Sequence, residues 1–391
     1  MSAKSRRIQN AVGMAFIATA LVSELTPQVY AGRQQSGASQ VTTADTVPSS
    51  KPELENGNLE AQALAGPLIG AVDRWATHTT RAEWLGYAIR AVKGASSVGC
   101  WRGGTGGEGC GTCRLEGEKT GSNLVLEHSG KPKVMLEEAR EFLVLYRAEA
   151  GRIGQIRIIS LETTLDPAGL RFLWLQNVKP TESVSLLETF VRDANRAGTD
   201  REKLSNGALA AIALHADPSA EQALEAFVSP KEPVSLRKDA SFWLGEARGA
   251  EGLRVLEKMA QRDPSPEVRE QVAFALSVNR ESGALAALIR MAHDDSVPKV
   301  RSQALFWLGQ KAGQKASEAI TNAIQSDPDT EVKKKAVFAL SQMPREQSVP
   351  KLIQVAESNS NLEVRRAAMF WLGQSNDPQA LAFFEKVLLQ Q

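Results

Sequence analysis

Cysteine and histidine are scarce in this sequence. Three Cys and four His in 391 residues exclude a disulfide-dense scaffold and leave few donors for a His-built metal centre. Neither sign of charge dominates. Lys and Arg total 46 against 45 Asp and Glu, a formal net charge of +1, so the broad basic field of a nucleic-acid binder is missing. There is no G-x-S-x-G, no H-E-x-x-H, no dinucleotide fingerprint and no phosphate loop, because Lys119-Thr120 comes too late after the glycines. The motifs of common hydrolases, zinc proteases and nucleotide enzymes are therefore absent. What is present is a hydrophobic fraction of 42%, enough for a substantial core and too much for wholesale disorder.

The amino terminus reads as an export signal over residues 1–31. Lys4, Arg6 and Arg7 precede an apolar core from Ala11 to Val22, and Val29-Tyr30-Ala31 follows Pro27 with small groups at the cleavage positions. The core is too short to span a bilayer. No stable membrane insertion is expected after its removal, and the expected location is periplasmic or secreted. Residues 32–60 are polar, with few apolar anchors, and read as a disordered linker.

Residues 61–179 read as a small strand-rich α+β domain of four or five mostly antiparallel strands with a helix or two. Leu85, Tyr87 and Ile89 alternate with polar or small neighbours. Glu141 to Ala148 is rich in branched and aromatic residues, and Leu170 to Leu175 is a final apolar run. Leu124-Val125-Leu126 is a further short apolar stretch. A glycine-rich loop in this domain carries Cys100, Cys110 and Cys113. Three readings stay open for it: a structural disulfide with one thiol left over, a zinc site completed by His128, and a C-x-x-C redox pair.

The strongest signal lies in residues 180–391. Phe242, Phe274, Phe306, Phe338 and Phe370 recur every 32 residues. Trp243, Trp307 and Trp371 follow the Phe in alternate units, with Ala275 and Ala339 between them. The alternation suits interdigitated packing between layers, with a Trp-lined groove as the second reading. A basic column keeps the same register (Arg269, Arg301, Lys333, Arg365), and Asp263, Asp295 and Asp327 each stand six residues before one of its members. These columns predict a ladder in which Asp accepts from a helix start and Arg reaches the Asp of its own or a neighbouring unit. Gln310, Gln342 and Gln374 recur four residues after a Phe and mark a possible binding ridge. Each unit divides into two helices separated by Pro-containing turns. About six such pairs at a period of 32 predict an α/α superhelix, an α-solenoid whose core exists only through stacking.

The units resemble HEAT repeats of the short PBS-lyase-like class, in the run Glu363-Val364-Arg365-Arg366-Ala367-Ala368-Met369-Phe370-Trp371-Leu372-Gly373. The strand-rich domain joined to such an array also looks like exported bacterial HEAT-repeat proteins. The resemblance implies a protein-binding scaffold. Some members of the class are phycobilin lyases or hydroxylases that use paired His-Glu iron ligands. This chain has no His-Glu dipeptide, and His215 and His293 stand in separate units. The expectation is an exported scaffold that binds a protein or peptide along the array and needs no cofactor. An enzyme with a site near the Cys100–Cys113 loop and a structural part of a cell-envelope assembly are the alternatives.

Overall fold

The computed structural model describes residues 50–95, 112–116, 141–197, 199–311 and 313–389. The expected signal segment, residues 32–49 of the linker, Leu124 to Leu126, Cys100, Cys110 and His128 lie outside them. Among the described residues, a five-stranded sheet has the order β1-β7-β2-β4-β5, with β1 at Leu59–Ala63, β2 at Glu83–Arg90, β4 at Glu141–Glu149, β5 at Arg152–Ser160 and β7 at Phe172–Gln176. Two short strands, β3 (Cys113–Arg114) and β6 (Leu165–Asp166), pair beside it.

The sheet is mixed where a mostly antiparallel one was expected. β2, β4 and β5 form an antiparallel meander, but β7 runs parallel to both β1 and β2. The long connection through β6 brings the chain back in the same direction as β2. Residues 50–60, expected to belong to an unstructured linker, pair instead. Leu54 bridges Leu165 and β1 opens at Leu59, because backbone pairing holds a segment with few apolar side chains. Helix α1 (Leu68–His78) lies later than the helix expected at 61–71. Pro67 directly precedes it, and its first free backbone N–H, that of Leu68, donates to Glu182 Oε2 at 2.8 Å.

Both faces of the sheet are covered, which is why β2 and β4 are buried almost throughout instead of alternating. Trp84, Leu143, Leu145, Phe172 and Trp174 pack on one side with Cys113, Leu115 and Leu165. Tyr87, Phe142, Val144, Tyr146, Ile156 and Ile158 join the core of the helical array on the other. Two helices seal that side, α2 (Pro180–Ala197) and α3 (Thr199–Leu214). A Cβ on Gly207 of α3 would stand 2.5 Å from the Ile156 carbonyl oxygen, so only glycine lets α3 lie this close to β5. The Tyr87 hydroxyl links the Tyr146 hydroxyl and Ser183 Oγ, each at 2.9 Å, and ties the sheet to α2.

The array continues through α4 (Pro218–Phe227) and five helix pairs. The first helices of the pairs are α5 (Val234–Ala247), α7 (Pro266–Val278), α9 (Pro298–Lys311), α11 (Thr330–Ser341) and α13 (Leu362–Gln374). The second helices are α6 (Gly249–Arg262), α8 (Ser282–Asp294), α10 (Gln314–Ser326), α12 (Arg345–Ser358) and α14 (Pro378–Leu389). Each first helix turns one apolar stripe into the stack; Val268, Val272, Ala275 and Leu276 of α7 are all buried. The stack is an α/α superhelix. Among the described residues no helix is long and apolar enough to cross a membrane.

Candidate functional site: an aromatic ribbon on the inner helix layer

The two layers of the array are built differently. First helices approach one another through glycine at alternate seams. A Cβ on Gly309 of α9 would stand 2.6 Å from the Ala339 carbonyl oxygen of α11, and Gly245 of α5 meets Ala275 of α7 in the same way. Second helices are spanned by long, solvated ion pairs: Arg254 of α6 reaches Glu221 and Glu225 of α4, Arg290 of α8 reaches Glu257 of α6 at 2.6 Å, and Lys386 of α14 reaches Glu357 of α12 at 3.3 Å. A stack that is tighter on one layer than on the other bends toward the tight layer, which places the Phe-bearing helices on the inside.

On that inner layer the Phe and Trp columns form one continuous ribbon. Phe242 stacks on Phe274, with ring centroids 5.9 Å apart and planes 9° from parallel, and Phe306 stacks on Phe338 at 6.2 Å and 13°. Trp307 joins the first stack to the second, 4.7 Å from Phe274 and 4.9 Å from Phe306. Trp371 repeats the junction, 4.9 Å from Phe338 and 5.0 Å from Phe370. Trp243 closes the other end against Phe242. Of these eight rings only Trp243 is fully buried; the others are half-buried, and Phe370 is 57% exposed. The aromatic anchors thus pack against the core with part of their surface uncovered. The indole Nε1–H of Trp307 is buried without an acceptor.

The 32-residue unit is also two alternating units. Units with Trp carry Gly two residues later, and in the first two of them, at Gly245 and Gly309, that Gly receives the backbone of the next unit's Ala. The inter-unit contacts therefore alternate between a glycine-mediated seam (α5/α7, α9/α11) and a Trp-filled seam (α7/α9, α11/α13). The Leu-Gly and Leu-Ser endings in the sequence mark this difference.

The Asp and Arg columns run between units. Arg237 Nη1 donates to Asp263, Arg269 makes a two-point contact with Asp295 at 2.7 and 3.0 Å, and Arg301 does so with Asp327 at 2.7 and 2.9 Å. Each Arg therefore pairs with the carboxylate 26 residues ahead, in the following unit. Arg269 and Arg301 also donate through Nη1 to the carbonyl of the Asp six residues behind, as Arg365 does to Asn359. Every Asp in turn accepts from a backbone N–H two residues on, those of Ser265, Val297 and Asp329. Burial alone would raise the Asp327 pKa; the Arg301 hydrogen bond and the Asp329 N–H overcome it and hold the carboxyl below its ordinary value. Lys333 stands at the next step, where its counterpart is Asn359, and it donates to the Gln325 carbonyl instead. These buried pairs tie each unit to the next, with Arg237 Nε left without an acceptor.

Cys113 is buried and disulfide-bonded, so its sulfur is not available as a metal ligand or attacking thiol. No cluster of three or more metal-type side chains occurs among the described residues. His215 is buried at the seam of sheet and array, with neither ring nitrogen partnered, and burial lowers its pKa to about 4. His293 is exposed beside Asp294. A cavity of about 390 Å³ at the β1 edge is lined by Trp75, His78 and Arg171, but Glu60 and Glu83 already engage the Arg171 guanidinium. Gln310, Gln342 and Gln374 stand one helical turn beyond Phe306, Phe338 and Phe370, and Gln342 and Gln374 are exposed. The half-burial of the Phe rings and the inner position of their helices were not deduced from the sequence. The alternation of Leu-Gly and Leu-Ser endings was the signal for the second.

Residues 220–309 and 317–391 match a family model of HEAT repeats. No curated protein matches the chain. Among solved structures, human deoxyhypusine hydroxylase in complex with glycerol is similar at 16% identity over 53% of this chain and 90% of its own, with a TM-score of 0.26. The complex of CpcE and CpcF of phycocyanin lyase from Nostoc sp. is similar at 21% identity, over 40% of this chain and 99% of its own, with a TM-score of 0.31. The E. coli protein YibA shows 17% identity, over 54% and 81%, with a TM-score of 0.31. These likenesses carry no statement about activity.

Proposed function

The helix pairs of residues 220–309 and 317–391 are HEAT repeats, and from that premise we propose that the protein is an exported scaffold that holds a protein partner along the inner face of its array. The observation that carries this reading is the aromatic ribbon. Six partly buried rings and the exposed Phe370 run in one unbroken file on the inner layer. Aromatic side chains are the residue type that concentrates binding energy at interfaces, because they bury large area at little entropic cost. The outer layer is laced with exposed ion pairs, and its large exposed apolar side chains, Leu381, Leu388 and Leu389, lie on the last helix.

Export is supported by the Lys4-Arg6-Arg7 and Ala11–Val22 signal pattern and by the disulfide at Cys113, a bond that persists in oxidising compartments. Photo-crosslinking groups at Gln303 and Gln342 on the inner layer, and at Lys258 and Lys315 on the outer, test the face that binds. Crosslinks to one defined protein from the inner positions are expected. Crosslinks spread equally over both layers, or confined to the outer one, overturn the assignment.

A further inference from the structure

We infer that the end face of the last unit, α13 and α14, docks a helix pair of a partner protein, and that this pair is of the Ala-Ser kind that follows each earlier Trp-Gly unit inside the array. The end face shares only Phe370 with the aromatic ribbon, and docking there does not depend on the inner-face reading. A solenoid ordinarily closes on a unit whose outer side is polar. Here Leu362, Phe370, Leu381, Leu388 and Leu389 of one unit are all exposed, an apolar concentration that marks an interaction surface. Earlier units show that two of these positions are covered by a following layer. Leu388, 71% exposed, stands 64 residues after Ile324, which is fully buried. Leu381 stands 64 after Ser317, which is buried and accepts from Lys351 Nζ of the following unit at 2.5 Å.

Three more positions define the chemistry of the layer that fits. Gly373 is in the register of Gly245 and Gly309, which are filled by the Ala275 and Ala339 backbone, yet a Cβ on Gly373 meets nothing within 4 Å. Phe370 is in the register of Phe242 and Phe306, each stacked on the Phe of the following Ala-Ser unit; among the described residues its ring contact is with Trp371 of its own unit. Arg365 is in the register of Arg237, Arg269 and Arg301, which donate to the Asp 26 residues ahead. Among the described residues Arg365 donates to the Asn359 and Ser360 carbonyls, and the residue 26 ahead of it is Gln391. An Ala-Ser unit answers all three, with a small residue for the glycine, a ring for Phe370 and a turn Asp for the guanidinium. A Trp-Gly unit does not. Trp307 and Trp371 reach back onto the preceding Phe, so a Trp in the place of Ala would be driven into the glycine seat. A second copy joined through this face would set one Trp-Gly unit on another, with the Ala backbone missing from both glycines.

The test uses the full chain and a fluorescein-labelled synthetic peptide of residues 327–358, which carries Asp327, Phe338 and Ala339. Anisotropy titrations should show saturable binding, weakened about tenfold or more by Ala339→Trp in the peptide. Gly373→Ala in the chain, whose Cβ meets nothing there, should weaken it to the same extent. No saturable binding, equal affinity for the two peptides, or indifference to Gly373→Ala overturns the inference. A lengthened chain, with Gln391→Asp followed by a copy of residues 328–358, removes the cost of ordering a free peptide. In it Gly373→Ala should lower the urea midpoint, as it does not in the parent; an equal response in both chains overturns the inference as well. Sedimentation equilibrium of the full chain alone tests the other occupant. A dimer that Leu388→Gln dissolves would assign the face to a second copy and overturn the partner reading.

Discussion

Gly309 and Gly373 occupy the same register in α9 and α13 but meet different surroundings, and replacing each with Ala measures what the close seam costs to disturb. A Cβ on Gly309 would stand 2.6 Å from the Ala339 carbonyl oxygen and 3.1 Å from the Ala339 C and Cα atoms, all of them backbone. No rotamer change relieves that contact; α9 and α11 must separate. A Cβ on Gly373 has nothing within 4 Å. Both substitutions gain up to about 1 kcal/mol from the helix preference of Ala over Gly, and both sit in the last turn of their helix. That gain cancels in the difference between them. What is left is the overpacking cost at the seam, about 1–3 kcal/mol. Urea titrations of wild type, Gly309→Ala and Gly373→Ala, followed by far-ultraviolet circular dichroism and tryptophan fluorescence, give the three stabilities. Gly373→Ala should equal or exceed wild type, and Gly309→Ala should fall below Gly373→Ala by the stated amount. If the two variants differ by less than about 0.5 kcal/mol, the glycine-mediated seam does not set the spacing of the inner layer. Gly245→Ala, at the equivalent seam onto Ala275, should reproduce the Gly309 result.

Other outcomes follow from the buried polar groups. Arg301→Met removes one partner of a pair buried on both sides and should cost about 3–5 kcal/mol in the same titration, whereas Arg366→Met, on an exposed pair, should cost at most about 1 kcal/mol. Because the Asp327 carboxyl is held below its ordinary 3.8 in the fold, its contribution is present above that value and lost as the pH falls through and below it. Asp327→Asn should flatten that acid limb of a pH-stability profile. His215 works over a higher window. Its folded value of about 4 lies below the ordinary 6.5, so the unfolded chain binds the proton first. Stability should fall by up to about 3 kcal/mol as the pH drops from 6.5 toward 4, and His215→Leu, which forfeits no hydrogen bond, should remove that slope. Superimposable profiles for wild type and His215→Leu would sink the assignment. Tyr87→Phe strips a shared partner from Tyr146 and Ser183 and should cost about 1–3 kcal/mol by thermal unfolding.

The array was legible because a solenoid writes its period into the sequence. Phe242 through Phe370 at steps of 32 demand stacked units before any coordinate is seen. The Asp-to-Arg spacing predicted a ladder but left its partner open, since the sequence offers a six-residue step within a unit and the fold adds a 26-residue step between units. The Trp and Ala alternation read as core packing. It does pack layers, but Trp307 and Trp371 are only partly buried between Phe rings of which Phe370 is exposed. Local periodicity places a ring on a stripe and does not say how far the stripe is covered. The sheet was harder to read. β1 is exposed at four of its five positions, so it has no apolar alternation to betray it, and its pairing with β7 joins residues more than a hundred positions apart. β2 and β4 lack clean alternation because both their faces are buried.

The alternating seams set a rule for lengthening or shortening this array. Excising one 32-residue unit from its middle would bring two like units together, either two Trp-Gly units or two Ala-Ser units. Excising or inserting two would restore the order of wide and narrow steps. Variants of the array should therefore tolerate changes of 64 residues far better than changes of 32, so the heritable building block of this solenoid is a double unit.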